Sequence, residues 1–360
     1  MKLLKPFILI LLSLGFASLA FAQDDEMMSL INLSSSDELG AYLVDSEGMT
    51  LYTFDNDGPR DITCAGDCLT NWPPLIVASA EELSSSVPTG EVGVIELEDG
   101  TFHVTFNRQP LYYWVNDEAA GDTTGQGRGD VWWVARPQTV AMGGNDDLGL
   151  FLVASNGMTV YTFDNDEEGV SNCTEQCLAN WPAVTVTTED ELYHGLYAAS
   201  ADDLGLIERA DTGELQVTYQ GMPLYYWIED AEIGDATGQG RGDVWWVVKP
   251  QLMSIANNEE HGDFLVGPDG MTLYLFTRDE EGVTNCYEGC AIAWPPLYAI
   301  NESDIVVEEG IGGEITLIER EDGGLQVAYD GIPLYYWFLD GVPGDTTGQN
   351  VNDVWFVVQP

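Results

Sequence analysis

Apolar and polar residues alternate with a period of two over short stretches of this chain, and turn-forming residues separate the stretches. Met49-Thr50-Leu51-Tyr52-Thr53-Phe54 follows Tyr42-Leu43-Val44 across a Ser46-Glu47-Gly48 turn, which predicts a hairpin. Gly93 to Leu97, Thr101 to Phe106, Leu111 to Trp114 and Val131 to Val134 predict four more strands, with Gly, Asp and Asn turns between them. Helical periodicity is confined to the neighbourhoods of Ala78 to Leu83 and Glu189 to Leu196. The pattern predicts a mainly β chain. One stretch differs: Pro6 to Ala20 is apolar except for Ser13 and Ser18, behind the basic Met1-Lys2-Leu3-Leu4-Lys5 and ahead of Ala20-Phe21-Ala22. That is the layout of a secretory signal peptide with cleavage after Ala22. It is shorter than the ~20 apolar residues a membrane-spanning helix needs.

The predicted strands recur, because three copies of one pattern cover nearly all of the chain after residue 39. Gly48-Met49-Thr50-Leu51-Tyr52-Thr53-Phe54 returns as Gly157 to Phe163 and as Gly270 to Phe276. Each Tyr is followed at a fixed distance by a Cys pair four residues apart and then by Trp-Pro: Cys64, Cys68 and Trp72; Cys173, Cys177 and Trp181; Cys286, Cys290 and Trp294. Later in each copy come a Pro-Leu-Tyr-Tyr-Trp run, a Gly-Asp-x-Thr-Gly-Gln segment and a further Trp at 132, 245 or 355. Within a copy, Tyr52/Phe54/Asp57 and Tyr112/Trp114/Asp117 obey one Tyr-x-aromatic-x-x-Asp formula. So do Tyr161/Phe163/Asp166 with Tyr225/Trp227/Asp230, and Tyr274/Phe276/Asp279 with Tyr335/Trp337/Asp340. Each copy of about 110 residues therefore reads as an internal duplication of two hairpin units.

These motifs resemble the bacterial secreted-repeat, predicted-lipoprotein family defined by that Tyr-x-aromatic-x-x-Asp formula, over Gly40 to Pro360. The resemblance implies an exported chain, often lipid-anchored, and no established activity. The chain departs in having no lipid-attachment Cys after the expected cleavage site. The expected organisation is a signal peptide at 1–22, an acidic linker at 23–39, and repeats at 40–137, 148–250 and 262–360. Short polar connectors join the repeats. Three domains in a row and one closed toroid of six half-repeats both fit the spacing.

Charge narrows the function classes. The 61 acidic side chains face 11 Lys plus Arg, a formal net charge of -50, which excludes nucleic-acid binding through phosphate neutralisation. Loss of Lys2 and Lys5 with the leader deepens the imbalance. The expected partners are cations or cell-surface material, and the same composition suits a high-salt habitat. At 45% hydrophobic residues the chain has ample material for folded cores.

Three sets of residues could carry chemistry. The Cys pairs of an exported chain read as three local disulfides, Cys64–Cys68, Cys173–Cys177 and Cys286–Cys290. The alternative is a copper or electron-transfer site on paired thiolates, although no His lies beside any pair. The motif aromatics read as core residues, with each Asp receiving a Tyr hydroxyl or capping a turn; the alternative is a set of sugar-stacking platforms. Asp57, Asp166 and Asp279 are candidate calcium ligands, in Asp55-Asn56-Asp57, Asp164-Asn165-Asp166 and Thr277-Arg278-Asp279. The third segment places a cation where a ligand belongs, and the distal Glu of a calcium loop is missing. His103, His194 and His261 do not coincide between copies, His103 aligning with Gln216 and Gln326. Arg128-Gly129-Asp130 and Arg241-Gly242-Asp243 read as turns. Serine-hydrolase, phosphate-loop and zinc-protease signatures are absent from the sequence. The expected function is that of a non-catalytic, exported binding or structural protein without a cofactor. The alternatives are an envelope copper or electron-transfer protein and a carbohydrate-binding or carbohydrate-active protein.

Overall fold

The computed structural model describes residues 29–36, 38–58, 62–193 and 203–360. The expected signal peptide and His194 lie outside them. Twenty-four strands, three one-turn α-helices and five 3-10 turns make the described residues mainly β.

The first copy shows the plan. Strands β1 (Ile31–Ser36) and β2 (Gly40–Asp45) form an antiparallel hairpin. Next come β3 (Tyr52–Phe54), helix α1 (Asp67–Asn71), which contains Cys68 and ends at Trp72, and β4 (Ile76–Val77). A second hairpin, β5 (Val92–Glu96) with β6 (Phe102–Phe106), continues into β7 (Gln109–Pro110) and ends at β8 (Trp132–Val134). The two halves exchange their last strands. β4 of the first half pairs with β6 of the second, and β8 of the second pairs with β3 of the first. Copies 2 and 3 repeat this pairing. All strand pairing among the described residues stays within one copy, so no sheet runs from one repeat into the next.

Why the motif is so aromatic follows from the pleat, which sends successive side chains to opposite faces. Leu43, Leu51 and Leu111 enter one core with Ile31, Leu75 and Val104. Their neighbours Tyr42, Val44, Tyr52 and Tyr112 enter a second, with Cys64, Trp72, Trp132 and Val134. Both faces of the central strands are buried, which gives near-continuous apolar runs. Copies 2 and 3 each have the same two cores.

Three expectations are corrected. The linker expected at 23–39 contains β1, whose Ile31 is fully buried. The expected connectors likewise contain strands Val140–Asn145 and Ser254–Asn258, each opening the next copy. Their alternation is hidden by small and polar residues. Gly143 sits where any side chain would collide with Val153, so this strand is held by its partner Gly149–Ala154. The strand expected at Leu111 to Trp114 is reduced to β7 and a bridge at Tyr112, whereas copy 3 extends it to Ile332–Tyr335. The helical signal near 78–83 is the 3-10 turn Ala80–Glu82, and the described part of the signal at 189–196 holds the 3-10 turn Glu189–Glu191, residues 194–196 lying outside the described ones.

Candidate functional site

The recurring motif closes on itself across the two halves of each copy. Tyr52 and Tyr112 face one another on adjacent strands and exchange backbone hydrogen bonds of 2.8 and 2.9 Å. Their hydroxyls then cross over. Tyr52 donates to Asp117 Oδ2 and Tyr112 donates to Asp57 Oδ2, both at 2.6 Å. Tyr161 with Asp230 and Tyr225 with Asp166 repeat this at 2.6 and 2.7 Å, as do Tyr274 with Asp340 and Tyr335 with Asp279 at 2.7 and 2.6 Å.

The second oxygen of each carboxylate organises a loop. Asp117 Oδ1 accepts from the backbone and hydroxyl of Thr124, and Asp57 Oδ1 from those of Thr63. In the later copies Asp166 and Asp279 accept from the backbone of Asn172 and Asn285. This explains the Gly-Asp-x-Thr-Gly-Gln segment. Asp122 accepts two backbone N–H groups of its own turn, and the Gly125 N–H donates to the Tyr52 hydroxyl at 3.2 Å. A side chain at Gly125 would strike the rings of Tyr52 and Trp72. Gln126 accepts from Val134 N at 2.8 Å, fixing β8.

Above this brace lies a stack of rings. Phe54, Trp132 and Trp72 are parallel, with centroids 4.2 and 3.9 Å apart, and Trp114 leans on Trp72 at 4.4 Å. Phe163, Trp245, Trp181 and Trp227 repeat the stack, as do Phe276, Trp355, Trp294 and Trp337. The cysteines sit at its edge as disulfides Cys64–Cys68, Cys173–Cys177 and Cys286–Cys290, with Cα atoms 5.2 to 5.4 Å apart. Each closes the one-turn helix before Trp-Pro. By loop-closure entropy each contributes about 2 kcal/mol. Replacing Cys173 and Cys177 together by Ser is therefore expected to lower stability by about that amount, measured by urea unfolding followed through tryptophan emission. An unchanged midpoint would remove the disulfide from the account.

Burial raises the motif tyrosines well above the ordinary phenol value, and the adjacent carboxylates add to this. Burial also raises Asp166 and Asp279, and pushes Asp340 up to about 6, against the opposing effect of their hydrogen bonds. Asp57, Asp166 and Asp279, the calcium candidates, thus have both oxygens engaged by protein donors. Among the described residues no three His, Cys, Asp or Glu side chains converge as a metal site.

Two features were missed in the sequence. Arg209 is buried and reaches Gln216 Oε1, the Cys173 carbonyl and Asp211, and Arg320 does the same with Gln326, Cys286 and Asp322. Copy 1 has Leu97 in that place and His103 in place of the Gln. The His103 ring still meets the Leu111 carbonyl at 2.8 Å, as the Gln amides meet Leu224 and Leu334. The signal was two of eleven cations at one repeat position. The second feature is the pair of exposed indoles, Trp133 and Trp246, whose Nε1 groups donate to Asp55 and Asp164 at 2.8 Å. Trp133, Asp55, Gln126, Arg136 and Tyr193 line a 450 Å³ cleft between copies 1 and 2. Where all three copies meet, a 710 Å³ cavity is lined by Arg108, Leu150, Asp269, Leu297 and Tyr336.

The secreted repeat of unknown function matches residues 34–76, 93–136, 144–185, 205–249, 256–298 and 316–359. The chain belongs to this family. Its six matched units are the half-copies, each holding one Tyr-x-aromatic-x-x-Asp formula, so a secreted-repeat unit finds its Tyr and Asp partners in the neighbouring unit. No curated protein and no solved structure matches the chain. The family is described as secreted, and among the described residues no helix is long and apolar enough to cross a membrane.

Proposed function

We propose that this secreted-repeat protein is a non-catalytic binding or structural protein that presents an acidic surface outside the cytoplasm. Its partners are cations and positively charged cell-surface material. The observation that carries this reading is the saturation of the repeated motif. The Tyr and Asp of every Tyr-x-aromatic-x-x-Asp formula and all three Cys pairs are engaged in bracing their own copy, so the repeat supplies rigidity and spacing. The acidic exterior is then the part free to meet a partner, and three copies on one chain multiply a weak contact.

The purified secreted chain tests this on amine-bearing polysaccharide beads and, by calorimetry, with calcium and copper chlorides. Retention on the beads at low ionic strength, lost by about 0.5 M salt, is expected, with many weak exchangeable cations and no stoichiometric metal. Retention that persists at high salt, or one tightly held copper ion per Cys pair, would overturn the reading. A second reading, carbohydrate binding, is favoured by the Trp133–Asp55 and Trp246–Asp164 pairs, an exposed ring with a carboxylate beside it in two copies of three. Retention on a neutral glycan resin that disappears in the Trp133→Ala, Trp246→Ala variant would decide for it.

A further inference from the structure

The joint between consecutive copies is built twice from the same parts. The turn between the first two strands of copy 1 ends at Gly40, which packs against Glu191 of copy 2. Glu191 is the third residue of the 3-10 turn Glu189–Glu191. The equivalent turn of copy 2 ends at Gly149, which packs against Asp304, the third residue of Glu302–Asp304 in copy 3. A side chain at either glycine would collide with that carboxylate.

The second joint shows the chemistry in full. Asp304 Oδ1 accepts from Leu150 N at 2.6 Å, Asn301 Nδ2 donates to the Asp146 carbonyl at 3.1 Å, and Ser303 Oγ donates to the Leu148 carbonyl at 3.0 Å. Lys249 donates to the Leu148 carbonyl and pairs with Asp304 at 3.4 Å. In copy 1 the residue equivalent to Lys249 is Arg136, which lines a cleft with Ala41 and Glu191 at the first joint. Each joint therefore takes a turn ending in Gly, an uncharged residue after it (Ala41 or Leu150), a cation two residues past the last strand, and a carboxylate on the receiving 3-10 turn.

Both ends of the series stay open. Copy 1 carries the receiving element, Ala80–Glu82 capped by Ser79, and its Glu82 is exposed where Glu191 is half-buried and Asp304 buried. Copy 3 carries the donating turn, yet among the described residues nothing lies within 4 Å of where a side chain at Gly262 would begin. A head-to-tail contact that does not close on itself propagates into a filament unless an end is blocked. Copy 3 differs from the other two at two positions of this joint. Asp263, exposed and accepting from the Asn257 amide at 2.7 Å, stands where Ala41 and Leu150 stand. Gln359 stands where Arg136 and Lys249 stand. Its amide meets the His261 carbonyl at 3.4 Å, as Lys249 meets Leu148, but it brings no charge.

We propose that Asp263 and Gln359 form a built-in cap that keeps the copy 3 turn from docking on the Ser79–Glu82 element of a second copy of this chain. Asp263 would meet Glu82 as a like charge, and the cation that pairs with Asp304 at the second joint and shares a cleft with Glu191 at the first is missing. Repeat arrays need a polar terminal unit of this kind to stay soluble.

Sedimentation velocity on the full secreted chain tests the cap. The wild type is expected to remain a single-chain species over a hundredfold concentration range. The Asp263→Leu, Gln359→Lys variant, which restores the residues of copy 2, is expected to shift to masses of two chains and more as concentration rises. Adding Glu82→Lys should return it to one chain, with an unchanged near-ultraviolet circular dichroism spectrum showing the fold intact in all three proteins. Three results would overturn the proposal: association of the wild type, a variant that stays monomeric throughout, or association that survives Glu82→Lys.

Discussion

Replacing Asp340 by Ala is expected to lower the stability of the protein by about 3 kcal/mol, which is among the larger effects a single substitution produces. Asp340 is 1% exposed and accepts from the Tyr274 hydroxyl at 2.7 Å and from the backbone and hydroxyl of Thr347 at 2.9 and 2.7 Å. Removing it leaves these donors buried, and a buried donor without an acceptor costs about 1 to 3 kcal/mol. Tyr274→Phe deletes one hydroxyl and is expected to cost less, about 1 kcal/mol. The double variant should cost clearly less than the sum of the two, because the hydroxyl and carboxylate share one interaction. Urea unfolding followed by tryptophan emission measures all three, since Trp294 and Trp355 lie against Tyr274 and Tyr335. Additive losses would mean that the crossed hydrogen bond does not hold the halves together.

The second large effect is a stability that rises on mild acidification. Burial holds the Asp340 and Asp269 carboxyls up at about 6, and Asp166 and Asp279 are raised in the same sense. In the unfolded chain these groups return to 3.8. Between those values the folded state binds more protons, so their contribution is fully present below 3.8 and is lost as pH rises through about 6. Relief of repulsion within a chain of net charge -50 acts in the same direction. Asp99, Asp211, Asp235 and Asp322 are lowered and act oppositely, but only as pH falls below 3.8; the buried His103, lowered by burial, opposes the trend from 6.5 downward.

The melting temperature at low ionic strength is therefore expected to be higher at pH 5 than at pH 7.5, by roughly 5 °C. Half-molar salt should shrink the part due to repulsion and leave the part due to the buried carboxyls. Asp340→Asn should flatten the remaining slope. Calorimetry across this range checks both; a melting temperature that falls steadily from pH 7.5 to 5 would contradict the burial of these carboxyls. At the alkaline end the raised motif tyrosines contribute stability that is lost as pH rises above 10.0, their ordinary value.

Much of this was legible in the chain because it rests on short distances along it. Alternation, turn residues and the Cys-x-x-x-Cys-x-x-x-Trp-Pro spacing are local, and local spacing survives without any fold. The strands opening copies 2 and 3 were not legible, because Val140–Asn145 contains Gly143 and Gly144 and is specified by its hairpin partner. Arg209 and Arg320 were not legible because cations are ordinarily exposed, and their burial depends on a glutamine and a carbonyl brought from elsewhere in the copy.

By itself the sequence determined the mainly β class, the recurring pattern with its internal duplication, the local cysteine pairs and the net charge of -50. Only the tertiary structure decided that each Tyr-x-aromatic-x-x-Asp formula is completed by the other half of its copy. Tyr52 and Asp57 lie close along the chain, yet Tyr52 bonds Asp117 and Asp57 bonds Tyr112. The physical reason is that β3 and the Tyr112 segment run antiparallel with the two tyrosines opposite each other. Each hydroxyl is thereby carried over to the loop of the partner half, and no periodicity within one half can announce that exchange.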